Sequence, residues 1–477
     1  MSLMRTRAAL ALLSSLAIVA SGSRVAKAKP IRRARLDSTL LFSVANAVNG
    51  GFVGAVGPSL PAFKAATGLG EAALGRVVLI NRLSKLVGTF AWTSYAKRLE
   101  AGHKGLPPPR LLLSACLIVA AACALTIGSP ACRGSGLTLQ AALSLFGASY
   151  GFTDPAFTLL TIWSLHDSAR QQRTHVGYLN AGYTLGALAT PALVALSLSQ
   201  GGTIYPCFYA LAGVALLAGC ALATLGPHDV APPPPVEKVL PVQVAAEGPT
   251  AADRAAASTW RDRVVVASMC LVLFSVTGCE HGVATWLPTF GERVAKVPLQ
   301  TSAMISAAYW GAICVGRLMW AALSHAVSSG WLVLAMDGAT MLLSSLFFVA
   351  LSATQAATHG LVADTRAAQL LAGALIMALG FASSLPCAIT MPSEAGVLVT
   401  PGRLLAMNLA GSAGESLMPF LFGAAFERGW DGAFGASLVM LNVAMLTATA
   451  VARRSTRRFK RKESDVIAAL PLVVGKR

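Results

Sequence analysis

The sequence predicts an all-α integral membrane protein whose twelve transmembrane helices form two pseudo-symmetric six-helix bundles. Hydrophobic residues make up 55% of the 477 residues and charged residues only 12%, which leaves too little polar surface to cover a soluble globule. Apolar runs of about 20 residues, the length needed to cross a bilayer, recur along the chain. A set of residues in the first half also recurs at the same spacing in the second half.

The apolar runs end at Pro, Gly or charged residues, as membrane helices do. In the first half they cover about 38–60, 74–96, 110–128, 137–164, 174–198 and 203–225. In the second half they cover about 263–288, 300–324, 330–353, 367–390, 403–427 and 433–452. We therefore predict six spans in each half.

A duplication is visible in two places. The fifth and eleventh runs share one spacing, found as Asn180, Gly186 and Pro191 and again as Asn408, Gly414 and Pro419. The first and seventh runs share another, found as Val48, Gly50 and Gly54 and again as Val276, Gly278 and Gly282. Membrane repeats of the same sense are typical of transporters that alternate access around a central site.

The runs divide the chain into five segments. Residues 1–37 are predicted to be a leader or N-terminal arm, 38–225 and 263–452 the two bundles, 226–262 a Pro-rich inner linker, and 453–477 a basic tail. The leader prediction rests on the absence of acidic residues before Asp37 and on an apolar stretch too short to span. Whether such a leader is cleaved is left open.

The formal net charge of +18 is explained by topology. The basic residues concentrate on one side of the predicted helices, in the N-terminal arm, the loop 97–110 and the tail 453–477. The positive-inside rule then places both termini on the inner side of the membrane. We predict a multi-pass protein of a plasma or organelle membrane, with the lipid bilayer and a small-molecule substrate as partners, no nucleic acid, and a monomeric state.

The sequence offers no pattern for covalent chemistry. The nine cysteines fall almost entirely inside apolar runs and form no CxxC pair, so small apolar packing is their expected role; Cys132 alone lies in a loop, where a thiol is more accessible. Walker-type loops and catalytic triads are not recognisable. We predict no enzyme activity, no catalytic or metal-binding residue and no cofactor, apart from H⁺ or Na⁺ as a coupling ion.

Ionisable residues inside the runs are the strongest functional candidates, because a charge in hydrocarbon is costly unless it is paired or faces water. Asp154 lies in the fourth run, and Arg82 and Lys85 of the second run are its predicted neutralising partners. Glu280, followed by His281, lies in the seventh run. We predict Asp154, Glu280, Arg82 and Lys85 as ion-coupling residues.

The buried charges, glycines and prolines of the runs, in their order along the chain, resemble the major facilitator superfamily over about residues 38–452. Within it, Gly278-Cys279-Glu280-His281-Gly282 with Trp286 is similar to a seventh-span signature of the fucose permease-like and sodium-dependent glucose transporter-like branch. Gly151 to Asp154 resembles the fourth-span motif of that branch, and Gly414-Glu415 its eleventh-span motif. The resemblance implies the major facilitator fold and a monosaccharide or similar polyol that moves with a proton or a sodium ion.

The predicted function is therefore secondary active transport of a small polar solute by alternating access coupled to a proton or sodium gradient. A monosaccharide is the leading candidate for the solute. The predicted substrate-binding residues are Asn46, Asn49, Asp154, Asn180, Tyr183, Glu280, Trp286, Tyr309, Asn408 and Glu415. Two alternatives stay open. One is an organic-anion or drug carrier, for which Arg82, Lys85 and Arg317 are binding cations; the other is a non-transporting receptor or scaffold.

Overall fold

The structure is a computed structural model, and it describes residues 30–132, 134–164, 169–224, 251–323, 329–354, 363–397 and 401–469. These residues form twelve α-helices and one short 3₁₀ turn at Pro130–Cys132, with no strand among them. The helices of the first half are α1 Pro30–Thr67, α2 Glu71–Glu100, α3 Pro109–Gly128, α4 Gly136–Ser164, α5 Ala169–Ser199 and α6 Tyr205–Ala223. Those of the second half are α7 Ala251–Arg293, α8 Leu299–Leu323, α9 Gly330–Thr354, α10 Ala363–Glu394, α11 Pro401–Glu427 and α12 Gly432–Ala469.

The helix bounds match the predicted spans to within about five residues except at four ends, one of which is the C-terminal end of α1 at Thr67. Helix α1 begins at Pro30, within the predicted N-terminal arm, and α12 continues to Ala469 through most of the basic tail. Helix α7 already begins at Ala251, inside the predicted linker. Alanine, arginine and lysine have high helix propensity, so these polar extensions continue the helices that the apolar runs begin. Residues 1–29 of the leader and the Pro-rich part of the linker lie outside the described residues.

Eight of the twelve helices are long and apolar enough to cross a membrane by composition alone, judged on the described residues. The four that fall short are α2, α4, α8 and α11. These carry Arg82 and Lys85, Asp154, Arg317 and Glu415 respectively. Each of these four helices thus brings charge into the bundle, as do α7 with Glu280 and α9 with Asp337.

The repeated glycines make the same helix contact in both halves. In the first half α1 packs on α5, and a Cβ on Gly50 would lie 1.8 Å from the Tyr183 carbonyl oxygen. In the second half α7 packs on α11, and a Cβ on Gly414 would lie 2.1 Å from the Phe274 carbonyl oxygen. Only glycine permits such close backbone approach. The duplicated spacing is therefore a duplicated packing motif, and the two six-helix bundles are related by pseudo-symmetry.

In the described residues the two halves meet mainly along four helix pairs, α5 with α8, α2 with α11, α1 with α7 and α1 with α8. We call the end at which α1 and α7 terminate the outer end, following the orientation that the basic residues predict. There Gly57 of α1 lies against α7, since its Cβ would stand 2.3 Å from the Ala284 carbonyl oxygen. Gly75 of α2 likewise lies against Gly423 of α11. The structure therefore has the outer end of the bundle closed.

Candidate functional site

The centre of the bundle holds a buried ion pair that joins the two halves. Arg82 of α2 is 5% exposed and forms a charged hydrogen bond with the Glu415 carboxylate of α11. Lys85, one helical turn further along α2, places its Nζ 3.2 Å from Glu415 Oε2. Two cations of the first half thus converge on one carboxylate of the second half. Removing one partner of such a buried pair strongly destabilises the folded protein, because the other charge stays buried without compensation.

His281 of α7 completes this cluster from the second half. Its Nδ1 lies 3.4 Å from Arg82 Nη2, and its Nε2 lies 3.6 Å from Glu415 Oε1. The imidazole therefore contacts both members of the cross-half ion pair. Sequence reasoning named His281 only as a companion of Glu280, whereas the structure places it with Glu415.

A second ion pair lies within the second half. Arg317 of α8 donates to Glu280 Oε1 of α7 at 3.0 Å; Glu280 is buried and Arg317 is partly buried. Tyr309, also on α8, donates its hydroxyl to the Glu280 backbone oxygen at 3.0 Å. Glu280 is therefore already neutralised by a cation of its own bundle.

Asp154 of α4 is not paired as the sequence analysis predicted. Arg82 and Lys85 both turn to Glu415, and no salt bridge to Asp154 is found among the described residues. The carboxylate is half-buried, and Lys85 and Glu415 are the charges that act on it. The predicted neutralisation of Asp154 by a direct ion pair is wrong, because Glu415 approaches the two cations from the opposite half.

Aromatic side chains line the same region. Lys85 Nζ lies 4.1 Å from the centroid of the Tyr150 ring, which stacks on Tyr183 at 6.2 Å. Tyr183 in turn meets Trp310 of the second half edge-on at 6.3 Å. The Tyr183 hydroxyl and Trp310 Nε1 are buried, and among the described residues neither has a hydrogen-bond partner of good geometry. Buried polar groups are nearly always satisfied, so these two atoms are candidate contacts for a polar solute.

Trp310 was missed by sequence reasoning, which chose Trp286 as the aromatic binding residue. Trp286 is fully buried near the outer end, where its Nε1 donates to the Pro419 carbonyl oxygen at 2.7 Å and its ring packs on Phe426. It does not join the central tyrosines, and instead lines a cavity of about 530 Å³ at the outer end. The adjacent Tyr309 was the available signal for Trp310.

The four predicted asparagines divide into two pairs. Asn46 and Asn49 of α1 are buried and serve the packing of the first half, since Asn46 donates to the Leu179 carbonyl oxygen at 3.3 Å and Asn49 donates to Thr153 Oγ1 at 3.1 Å. Asn180 and Asn408, the repeat partners, are both exposed. They lie at corresponding positions on α5 and α11, in the inner half of each helix.

A second set of charges joins the halves at the outer end. Glu71, at the start of α2, accepts from Lys64 Nζ at 2.6 Å and from Arg293 Nη1 of α7 at 3.0 Å. Arg293 Nη2 also lies 3.1 Å from Asp431 Oδ1. Partial burial of Glu71 opposes its ionisation, but the hydrogen bond from Lys64 and the two positive charges outweigh burial and lower the pKa of the Glu71 carboxyl. We call this set the outer latch.

The loop cysteine is less accessible than its position in the sequence indicates. Cys132, in the turn after α3, is buried, and this burial raises the pKa of its thiol. A raised thiol pKa lowers the thiolate fraction and hence the reactivity.

The sequence and fold match known membrane transporters. A sequence model of the Major Facilitator Superfamily matches residues 42–399. Among solved structures, a point mutant of the nucleoside transporter NupG superposes with a TM-score of 0.61 at 12% identity, over 88% of this chain and 99% of that chain. No curated protein sequence matches the chain.

The twelve-helix fold and the charged centre between its halves define a multi-pass membrane transporter of a small solute, not an enzyme. The chain belongs to the Major Facilitator Superfamily.

Proposed function

We propose that the protein transports a small, neutral, polyhydroxylated solute by alternating access coupled to a proton gradient. A monosaccharide is the leading candidate for this solute. The proposal rests on one observation. A cross-half cluster of buried charges contains equal numbers of cations and carboxylates, and unsatisfied polar and aromatic groups stand beside it. The chain is proposed to work as a monomer, because both halves that line the site belong to one chain.

The charge balance favours a neutral solute. Arg82, Lys85 and Arg317 supply three positive charges. Glu415 and Glu280 pair with them directly, and Asp154 supplies the third carboxylate nearby. With all six groups ionised, no positive charge is left unmatched to attract an anion. Hydroxyl groups, by contrast, accept from the cations and donate to the carboxylates without changing this balance.

The groups beside the ion pair suit a polyol. The Tyr183 hydroxyl and Trp310 Nε1 offer hydrogen bonds from opposite halves, and their rings, with that of Tyr150, give apolar faces. Small-molecule sites combine such aromatic walls with a few placed polar groups. Asn180 and Asn408 add exposed amides on the inner approach. Because NupG is a nucleoside transporter, a nucleoside, which carries a sugar ring, belongs in the same solute panel.

Glu415 is the proposed coupling group. The two cations beside it oppose its protonation while the halves are in contact. A proton is therefore proposed to reach Glu415 as the halves begin to part, and it then keeps the contacts to Arg82 and Lys85, which are direct charged bonds between the halves, from re-forming. The freed cations then become donors for the solute, and the halves rock more easily. Asp154, half-buried and without a direct ion pair in the described residues, is the proposed second proton acceptor.

An organic-anion carrier is the second candidate. The observation in its favour is that two cations, Arg82 and Lys85, face a single carboxylate. Protonation of Glu415 leaves those cations free to bind a carboxylate or phosphate of the solute.

Uptake by purified protein in proteoliposomes tests both candidates. We expect labelled hexose to accumulate under an inward proton gradient and not under potassium or sodium gradients of equal size. Empty liposomes and the Glu415→Gln variant are the controls. Accumulation of an organic anion but of neither hexose nor nucleoside overturns the neutral-solute proposal in favour of the second candidate, and flux of no solute under any gradient overturns both.

A further inference from the structure

A buried carboxylate of the second half takes no part in the central cluster. Asp337 lies on α9, within the apolar stretch Gly330–Ala353, and is 8% exposed. Its hydrogen-bond partners are two serine hydroxyls of α10, those of Ser383 and Ser384. Of the residues that the structure describes, none with a positive charge acts on it. An ionised carboxylate in this setting is costly unless something positive accompanies it.

The two hydroxyls leave the charge of the Asp337 carboxylate unbalanced, and one placement of their hydrogens leaves a pair of oxygens without a hydrogen between them. Ser383 Oγ lies 3.0 Å from Asp337 Oδ1 and 2.8 Å from Oδ2. Ser384 Oγ lies 3.2 Å from Oδ2 and also forms a short contact with the Gly380 carbonyl oxygen. A hydroxyl has a single hydrogen. If Ser384 donates to Gly380, two oxygens face each other at 3.2 Å with no hydrogen between them.

We propose that Asp337, Ser383 and Ser384, with the Gly380 carbonyl, form a binding site for a small monovalent cation, a sodium ion or a proton. Carboxylate, hydroxyl and carbonyl oxygens are the ligands that hard cations prefer. A sodium ion that coordinates both Ser384 Oγ and Asp337 Oδ2 from one side, or a proton on Oδ2, supplies positive charge to the two facing oxygens. Either one neutralises the carboxylate within the membrane.

The packing of α10 on α9 holds these oxygens together. A Cβ on Gly380 would lie 2.4 Å from Met341 Cγ and 3.0 Å from the Asp337 carbonyl oxygen, so glycine permits the approach that lets both serines reach Asp337. From α10, Cys387 is the other titratable group that interacts with Asp337. From α12, Leu446 and Met445 cover the neighbouring Gly338 with apolar atoms. The described surroundings therefore supply no alternative counter-charge.

The site is separate from the proposed transport path but is linked to it by packing. Ala382, next to Ser383, stands 2.5 Å from where a Cβ on Gly316 of α8 would lie. Gly316 precedes Arg317, the partner of Glu280. Occupancy of the Asp337 site is thus expected to affect the position of α8, which carries Arg317, whichever solute is transported.

Thermal unfolding of the purified full-length protein in nanodiscs tests this site without any transport assay. A ligand that binds only the folded state raises the unfolding temperature. Wild type and Asp337→Asn are compared in sodium and in choline chloride at equal ionic strength, each at alkaline and at mildly acidic pH. Ser344→Ala is the matched control, because Ser344 is a buried serine of α9 that donates to the α10 Gly373 carbonyl oxygen at 2.6 Å.

We expect wild type to gain stability from sodium at alkaline pH if the occupant is sodium, or from acidification in choline if the occupant is a proton. Asp337→Asn loses that gain, and Ser344→Ala retains it. If Asp337→Asn does not fold, the Ser383→Ala/Ser384→Ala double variant carries the test, since it keeps the carboxylate and removes the hydroxyls: a sodium gain is lost, whereas for a proton the gain from acidification begins at a higher pH than in wild type. A sodium and pH response that is the same in wild type, Asp337→Asn and the double serine variant overturns the proposal.

Discussion

Removal of the Glu415 charge is the perturbation for which the structure gives the clearest magnitude. In Glu415→Gln the cations Arg82 and Lys85, which are 5% and 14% exposed, lose their shared carboxylate. Leaving buried charges uncompensated costs about 3–5 kcal/mol. Arg82→Gln is milder, because Lys85 remains 3.2 Å from Glu415; the lost charged hydrogen bond is worth about 1.5–3 kcal/mol.

The double variant Arg82→Gln/Glu415→Gln distinguishes a true ion pair from two unrelated changes. In the double variant Lys85 keeps Asp154 as a nearby anion. The loss of unfolding free energy in the double variant should therefore be smaller than the sum of the two single losses by about 1–3 kcal/mol. Free energies of unfolding, from denaturant titration in mixed micelles, give this difference directly. Lys64→Gln is the control, since that cation is 50% exposed and a surface pair contributes only about 0–1 kcal/mol. Costs that add to within about 0.5 kcal/mol would refute a direct cross-half pair.

Three further predictions follow from the same geometry. Asp154→Asn should abolish uphill accumulation while solute counterflow persists; concentrative uptake at the wild-type level contradicts its proposed role. Gly50→Val should abolish folding, because a Cβ there meets the Tyr183 carbonyl oxygen at 1.8 Å, whereas Gly213→Ala, with no atom within 4 Å, should leave the yield unchanged; equal yields would count against the packing motif. Glu71→Gln should loosen the outer latch and raise thiol labelling of a cysteine introduced at Thr289. Because the folded-state pKa of Glu71 is lowered, wild-type labelling should stay low through neutral and mildly acidic pH and rise only below the ordinary glutamate value of about 4.3; a rise near neutral pH would exclude Glu71 as the titrating group.

Much of the fold was predictable because the bilayer restricts it. Only a helix satisfies its own backbone inside hydrocarbon, so apolar runs gave the spans, and the duplicated glycines indicated the repeat, whose α1–α5 and α7–α11 packing the structure then revealed. The ends of α7 and α12 were not predictable from hydropathy, since their extensions are polar helices. Helix propensity of the Ala-rich and basic segments was the relevant signal.

The pairing of charges was less accessible to sequence reasoning. The sequence places Arg82 and Lys85 on one helix face, but the carboxylate that they meet depends on how the two halves dock. Both Asp154 and Glu415 are compatible with the sequence, and the cross-half approach of α11 to α2 selects Glu415. Asn46 was likewise a reasonable binding residue by type, and the structure instead places it in backbone contacts between α1 and α5.

The sequence alone likewise does not decide between Trp286 and Trp310 as the aromatic binding residue. Both tryptophans lie in membrane helices, and helical spacing alone does not rank them. The backbone carbonyl of Pro419 satisfies the Trp286 indole at the outer end. Trp310 is left with a buried, unpartnered Nε1 beside Tyr183. Polar satisfaction, which only the three-dimensional arrangement reveals, separates the packing residue from the candidate binding residue.

Solute-induced proton movement tests the central account most directly. Labelled or unlabelled hexose is added to weakly buffered proteoliposomes with no imposed gradient, and the external pH is recorded. Proton-coupled entry through Glu415 predicts alkalinisation of the medium with wild-type protein and none with Glu415→Gln, which should still exchange hexose. Hexose entry with no pH change in wild type, or with the same pH change in Glu415→Gln, would contradict it.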